Sequence, residues 1–140
     1  MKEALIKVNS IQAYETEEED SVEFSTDGVY DFVDGSGIII YFESEVTGLT
    51  GTKTKIIFSN DEVVVDREGT VTSRMIFKEG SRSSFVYETP YGNATMNVTT
   101  RRIVRYFDEN GGSMDLEYIV DVEHMVVTRN KFTVRVTEIV

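Results

Sequence analysis

Three successive segments near the C-terminus, residues 93–107, 113–125 and 128–138, alternate apolar and polar side chains with a period of two. The middle segment is the clearest. Its polar parity carries Asp115, Glu117, Asp121 and Glu123, and its apolar parity carries Met114, Leu116, Tyr118, Val120 and Val122. Such alternation is typical of a β-strand with one face in the core and the other in solvent. The C-terminal third therefore predicts consecutive strands.

Seven further strands are predicted upstream, at residues 4–14, 21–33, 38–46, 53–59, 62–67, 71–78 and 82–88, with a bulge or bend at Asp27-Gly28. No helix-length window places apolar residues at helical spacing. The short connections predict antiparallel pairing of sequence neighbours. We therefore expect an all-β, up-and-down meander closed into a barrel of about 8–10 strands, rather than a sandwich with Greek-key crossovers.

The size and charge of the chain limit its class and its partners. Its 140 residues predict a single domain over residues 1–140. It has no apolar run long enough for a transmembrane helix and no apolar leader segment, so a cytoplasmic location is expected. The net charge of −11 argues against nucleic acid and anionic membranes as partners. Alternatively, the acids simply keep a small domain soluble.

Few residues are suited to catalysis or metal binding. The chain has no cysteine and one histidine, His124, which excludes disulfides, thiolate chemistry and multi-histidine metal sites. The contiguous acids of residues 15–20 would point in divergent directions, so we predict no metal site there. We therefore predict no catalytic residue, metal or cofactor. A carboxylate pair in acid–base catalysis stays open, because 25 acids offer many pairs.

The parity of residues 93–107 predicts an inward-facing arginine. Arg102 and Tyr106 fall on the same parity as Val98 and Val104. An inward arginine is costly unless it is paired, and it could clamp a ligand carboxylate. Alternatively, Arg102 pairs with an internal acid or reaches water at the barrel mouth. A bulge between Met96 and Arg102 would reverse the assignment.

Three other residues complete the predicted ligand site. Tyr87 and Tyr118 lie on the inward-facing parities of their strands. His124 is the last residue on the apolar parity of its strand. With Arg102 and Tyr106 they could form the polar end of an otherwise apolar cavity. The alternative is ordinary core tyrosines whose hydroxyls reach the rim, and a rim histidine satisfied by a hydrogen bond.

The outward parities of the last three strands carry charges of both signs. We predict a ladder of cross-strand ion pairs between the acids of residues 115–123 and the bases Arg101, Arg105, Arg129, Lys131 and Arg135. This interpretation explains the clustered basic residues without a nucleic acid.

Three sequence blocks resemble the YwiB-like proteins of Gram-positive bacteria. They are Glu-Val-Thr-Gly-Leu-Thr-Gly-Thr-Lys-Thr at residues 45–54, Met-Ile-Phe-Lys-Glu-Gly at 75–80 and Tyr-Glu-Thr-Pro-Tyr-Gly at 87–92. The resemblance spans nearly the whole chain. It implies a calycin-like β-barrel, loosely related to lipocalins and fatty-acid-binding proteins. The family is uncharacterised, so the resemblance implies no catalytic residues.

Three functional hypotheses follow. The first is a non-enzymatic module that binds a small apolar or amphipathic ligand inside the barrel. The second is a protein–protein interaction or structural domain, acting through a strand edge or the acidic side, which leaves a homodimer open. The third is a hydrolase, which would require paired carboxylates about 5–10 Å apart at an open pocket.

Overall fold

A computed structural model describes residues 1–16 and 18–140 as ten antiparallel strands and one short 3₁₀ helix. The strands are β1 (Lys2–Tyr14), β2 (Glu19–Val33), β3 (Ser36–Phe42), β4 (Lys53–Phe58), β5 (Val63–Glu68), β6 (Ser73–Phe77), β7 (Arg82–Thr89), β8 (Gly92–Asp108), β9 (Gly111–Val122) and β10 (Met125–Glu138). The 3₁₀ helix spans Glu45–Thr47. Glu17, within the acidic segment of residues 15–20, lies outside the described residues.

The strands form one sheet that curls into a nearly closed barrel. Its order is β6-β5-β4-β3-β2-β1-β10-β9-β8-β7, so consecutive strands are neighbours from β1 to β6 and from β7 to β10, and β1 pairs with β10. Between β6 and β7 the described residues form an isolated bridge, Thr72 to Glu88, instead of a ladder. We call this opening the seam. The predicted all-β, up-and-down barrel is therefore confirmed.

The connection after β3 differs from its prediction. The strand ends at Phe42, not at residue 46, because Ser44 caps the 3₁₀ helix. Its Oγ accepts a hydrogen bond from the Val46 N–H, at 3.2 Å, an interaction that competes with strand pairing. The Glu43 N–H donates to the Thr52 carbonyl, at 2.9 Å, and closes the loop of residues 43–52.

Gly28 does not mark a bulge. The pairing of β1 with β2 continues through Asp27 and Gly28 without a register shift, so the predicted bulge is absent. The glycine is instead needed for close packing. A Cβ at this position would lie 2.4 Å from the Ile40 carbonyl oxygen and 2.9 Å from the Ile6 side chain.

A bulge does occur on β8, at Arg101. Thr100 pairs with Tyr118, but Arg102 pairs with Glu117, so Arg101 is one extra residue on β8. A bulge of this kind reverses the parity of the residues that follow it. Arg102 is exposed, Tyr106 is 75% exposed, and the prediction that both point inward is wrong.

The same bulge turns Arg105 inward, contrary to its predicted place in the outer ladder. Arg105 is half-buried and pairs with the fully buried Met114. Of the predicted cross-strand pairs between β9 and β10, Lys131 and Glu117 form one, at 3.8 Å. Arg129 pairs with Glu15 across to β1. The outer ladder is therefore present only in part.

Aromatic rings fill the end of the barrel that carries the β2–β3, β4–β5, β6–β7 and β8–β9 turns, which we call the closed end. Phe58 stacks on Phe107 with ring centroids 4.4 Å apart, and Tyr30 lies 5.9 Å from Phe107. Gly37 makes room for this packing, because a Cβ there would lie 2.2 Å from the Phe58 ring. In the described part of the chain, no helix has the length and apolar character to cross a bilayer.

Candidate functional site

A cavity of about 350 Å³ occupies the barrel interior at the opposite end, which carries the other five turns and which we call the open end. Its apolar walls are inward side chains from five strands: Val8, Met75, Phe85, Val120 and Phe132. Thr47 and Leu49 bring the loop of residues 43–52 to the cavity lining. The volume lies within the range of about 300–1,000 Å³ that is typical of small-molecule sites.

Arg67 is the arginine that faces this cavity. It continues the inward parity of Val63 and Val65 on β5, and its cross-strand neighbours are Thr54 and Ser73. The side chain is half-buried, and its buried Nε atom has no hydrogen-bond partner within the described residues. A desolvated, unpaired guanidinium N–H is costly, so this atom is a hydrogen-bond donor without an acceptor.

Glu43 supplies a buried carboxylate beside the same cavity. It follows β3 on the inward parity of Ile39 and Tyr41, and it is only 8% exposed. Its Oε2 atom has no hydrogen-bond partner among the described residues. Burial raises the pKa of the Glu43 carboxyl, and the positive charge of Arg67 and the nearby Thr54 hydroxyl each oppose part of that rise.

Glu43 and Arg67 do not form an ion pair. No nitrogen of Arg67 lies within 4.0 Å of a Glu43 oxygen, although each lines the cavity and Arg67 is close enough to influence the Glu43 pKa. Two opposite charges in a low-dielectric interior would gain by contact. In this structure the two groups therefore do not neutralise each other by direct contact.

Arg67 also belongs to a row of inward polar side chains that crosses four strands. Tyr41 pairs with Thr54, Thr54 with Arg67, and Arg67 with Ser73. Each of these residues has a buried polar atom without a partner in the described structure: Tyr41 Oη, Thr54 Oγ1, Arg67 Nε and Ser73 Oγ. Because buried polar groups in native proteins are nearly always satisfied, a row like this is expected to contact water or a ligand.

Tyr87 and Tyr118, both predicted from parity, line the cavity. The Tyr118 ring packs edge-on against Phe77, with centroids 4.8 Å apart. Burial raises the pKa of Tyr118, while Arg67 acts in the opposite direction. The structure thus brings these two tyrosines together with Arg67 and Glu43, and their role toward a ligand stays a prediction.

Arg102, Tyr106 and His124 lie away from the cavity. The first two are on the outer wall because of the bulge at Arg101. His124 is exposed in the two-residue turn between β9 and β10, where it and Glu123 have positive φ angles of 69° and 51°. Its backbone N–H donates to Asp121 Oδ1, at 3.1 Å. His124 therefore belongs to the hairpin and not to the inward parity of β9.

Arg67 and Glu43 carried a sequence signal that parity could have revealed. Each lies two residues beyond an inward apolar residue, Val65 for Arg67 and Tyr41 for Glu43. The signal was masked because residues 63–65 are all valine and residues 38–40 are all isoleucine. Runs that are apolar on both parities do not indicate which face points inward.

The seam gives Arg67 a second route to solvent. An outer groove of about 590 Å³ runs along β4 to β7, and Arg67 and Ser73 line it together with outward charged residues such as Lys53, Lys55 and Arg74. The groove is mostly charged and lacks the apolar walls of the cavity. The interior cavity is the better match to a small-molecule site.

The cavity lining combines apolar, hydroxyl and charged side chains. Its serine and threonine hydroxyls have no histidine or lysine among the described lining residues to activate them. Within the described residues, no group of three His, Cys, Asp or Glu side chains could hold a metal ion. What the cavity offers is apolar surface, two carboxylates (Asp20 and Glu43), one guanidinium (Arg67) and several hydrogen-bonding groups.

Comparison with known proteins places the chain in a family. A family described as "Domain of unknown function (DUF1934)" matches residues 6–134. The chain belongs to this DUF1934 family. An "Uncharacterized beta-barrel protein YwiB" from Bacillus subtilis is 28% identical over 101 residues, which are 72% of this chain and 70% of that protein.

A solved structure of a DUF1934 relative shows the same fold. The crystal structure of the ywiB protein from Bacillus subtilis superposes with a TM-score of 0.86, at 22% identity, and the match covers 99% of this chain and 93% of the other. The solved protein and this DUF1934 protein therefore share one fold, the nearly closed barrel. The relative is described as uncharacterised, so its function is not informative here.

Proposed function

We propose that this protein is a non-enzymatic binding module that holds a small amphipathic molecule in the open-end cavity. The observation that carries the proposal is the cavity of about 350 Å³ in which buried atoms of Glu43 and Arg67 lack partners. Unsatisfied charged groups beside an apolar space are what a site for an amphipathic guest requires. The family resemblance implies a calycin-like fold, and this supports the same function by analogy alone.

The arrangement of the lining suggests how the guest would lie. Its apolar body would contact Val8, Phe85 and Phe132, whose side chains are buried and line the cavity. Its polar head would face Glu43 and Arg67, with Tyr118 nearby. Burial of apolar surface would supply most of the affinity, at about 25 cal/mol per Å², and the polar contacts would fix orientation.

Native mass spectrometry of the purified protein tests this function. We expect an adduct of small mass on the folded chain, and we expect Ser10→Phe to abolish it, because Ser10 lines the cavity and a phenyl ring would fill it. Ser25→Phe is the matched control, since Ser25 is exposed on the outward face of β2 and should keep the adduct.

The same spectra contain the result that would overturn the proposal. Wild-type protein without any adduct, which also gains none from a library of small amphipathic molecules, would leave the cavity without a ligand. Equal adducts in both variants would place the bound molecule outside the cavity.

A second function, protein–protein interaction, is favoured by exposed apolar side chains around the open end. Tyr91 in the β7–β8 turn is 99% exposed and Met125 in the β9–β10 hairpin is 76% exposed. Val46 in the loop of residues 43–52 is also exposed. Such a rim would suit a second copy of the chain.

Sedimentation velocity at increasing protein concentration tests that candidate. A dimer that the double variant Tyr91→Ser, Met125→Ser converts to monomer would support it. A monomer at every concentration would exclude a homodimer through this rim.

A further inference from the structure

We infer that the polar head of the ligand carries a hydrogen-bond donor and an acceptor side by side and has no net charge, as a primary amide does. This inference rests on the proposed binding function and makes it more specific. It follows from what Glu43 and Arg67 each lack and from the absence of an ion pair between them.

Glu43 requires a donor. Its Oε2 is a carboxylate acceptor, buried and without a partner in the described structure, on a side chain that is 8% exposed. An unpaired buried acceptor raises the free energy of the folded protein. A ligand that donates an N–H or O–H to Glu43 Oε2 therefore gains affinity. Burial raises the pKa of this carboxyl, which agrees with a site lacking a permanent cationic partner in contact.

Arg67 requires an acceptor. Its Nε–H is buried and unpartnered, and its neighbours Thr54 and Ser73 have hydroxyl oxygens that are also unpartnered. A guanidinium donates and cannot accept, so the group that satisfies it must present an oxygen or a bare nitrogen lone pair.

The charges of Glu43 and Arg67 cancel, and the other charged lining residue, Asp20, is exposed to solvent, so the buried part of the site favours neither a cation nor an anion as the head. A carboxylate head would satisfy Arg67 but would bring a second negative charge toward Glu43. An ammonium head would satisfy Glu43 but repel Arg67. A site that pairs with both the donor and the acceptor of a ligand rejects analogues that lack either one. In such a complex, a buried polar group of the protein is left unpaired. A fatty acid is therefore a poor ligand for this cavity.

An isosteric series tests the inference by isothermal titration calorimetry at about pH 8, where free carboxyls are ionised and primary amines protonated. The probes are octanamide, octanoate and octylammonium, which share a chain length and differ in the head. We expect octanamide to bind the wild-type protein at least about tenfold more tightly than either ion.

Two variants should change the relative affinities of the three probes. Glu43→Gln removes the negative charge, so octanoate should gain on octanamide by about tenfold. Arg67→Gln removes the positive charge, so the affinity of octylammonium relative to octanamide should rise by about tenfold. The matched controls are Glu3→Gln and Arg102→Gln, which change exposed residues of the outer wall and should leave the order of the three probes unchanged.

The outcomes separate this inference from the proposed function. If octanoate or octylammonium equals or exceeds octanamide on the wild-type protein, the inference is wrong and the binding function stands. If none of the three binds up to its solubility limit, and no adduct is found by native mass spectrometry, the binding function itself fails. The wild-type series decides the question even if a variant does not fold.

Discussion

The two ends of this barrel are built from the same ten strands, but they fill their interiors in opposite ways. At the closed end, Phe58 and Phe107 stack at 4.4 Å, and the Tyr30 hydroxyl donates to the Asp108 carbonyl at 2.6 Å. At the open end there is a cavity of about 350 Å³, beside which Glu43 and Arg67 keep unpaired buried atoms.

The contrast teaches where stability and function reside. Close-packed rings, with the Tyr30 hydroxyl hydrogen-bonded, contribute dispersion and hydrophobic free energy. A cavity with unpaired charges lowers stability, so its persistence is expected where a ligand is bound. We therefore assign stability mainly to the closed end and binding to the open end.

The largest effect is expected at the closed end. Phe58→Ala removes a fully buried ring and leaves a hole between Phe32 and Phe107, so the free energy of unfolding should fall by about 3–5 kcal/mol. Urea denaturation measures this. The control, Phe42→Ala, removes a ring that is 65% exposed and should cost no more than about 0.5 kcal/mol. Similar small losses in both variants would contradict the assignment of stability to the closed end.

An intermediate effect is expected on the outer wall beside the open end. Arg82 Nη2 and Nε donate to the Asp121 carboxylate at 2.8 and 3.2 Å, and Asn97 and the His124 N–H also donate to it. Asp121→Asn should therefore lower the free energy of unfolding by about 1–3 kcal/mol at neutral pH. Asp27→Asn, at an exposed position of β2, is the control.

The Asp121 effect should depend on pH. The Arg82 guanidinium holds the pKa of the Asp121 carboxyl down to about 2. A lowered native pKa stabilises the protein above the unfolded value of about 4 and loses that contribution as pH falls through the native value. Chemical denaturation across this window should show the wild-type advantage over Asp121→Asn shrinking below about pH 4. An advantage that stays constant to pH 2 would rule out this ion pair as its source.

A smaller effect, of opposite sign, is expected at the cavity. Burial raises the native pKa of Glu43, so the folded state favours the protonated carboxyl. Its contribution is fully present below the unfolded pKa of about 4 and is lost as pH rises through the native pKa. Glu43→Gln should therefore stabilise the ligand-free protein by about 1 kcal/mol at neutral to alkaline pH, and should be neutral in acid.

Thermal unfolding on either side of this transition checks the Glu43 prediction. Glu3→Gln, at an exposed position, is the control, because it shows how the loss of one negative charge alone changes the stability. If Glu43→Gln were destabilising at high pH, the carboxylate would be satisfied in the folded protein, and the contrast between the two ends would weaken.

The smallest effect is expected at Arg102. Because the bulge at Arg101 places it on the outer wall, Arg102→Gln should change the free energy of unfolding by no more than about 0.5 kcal/mol. It should also leave ligand affinity unchanged. A loss of binding in this variant, measured by calorimetry with octanamide, would mean that the outer wall contributes to the site.

The fold could be predicted from the sequence because strand parity and short turns act locally. The alternation in residues 93–138 and the turn residues Asp34-Gly35-Ser36-Gly37 are visible without tertiary information, although β3 already begins at Ser36. The boundary errors came from local competition, as at Ser44, where a side-chain cap ends β3 early. The closure of β1 onto β10 follows from a meander of this length curling on itself.

The candidate site could be predicted only in part, because parity fails wherever a strand gains a residue. Tyr87 and Tyr118 lie on β7 and β9, which gain no extra residue in their pairings, and both line the cavity. Arg102 follows the extra residue Arg101, and one inserted residue exchanges the two faces of everything beyond it. No local pattern in the arginine-rich segment of residues 101–105 distinguishes a bulged strand from a regular one.

Amide chemical shifts on addition of octanamide test the central claim most directly, because they report on both ends of the barrel in one spectrum. A ¹⁵N-labelled sample should show shifts at cavity residues such as Ser10, Glu43 and Tyr118. The amides of Tyr30 and Phe58 at the closed end should stay unchanged. Shifts confined to the closed end or the outer wall, or no shifts at saturation, would contradict the assignment of binding to the open end.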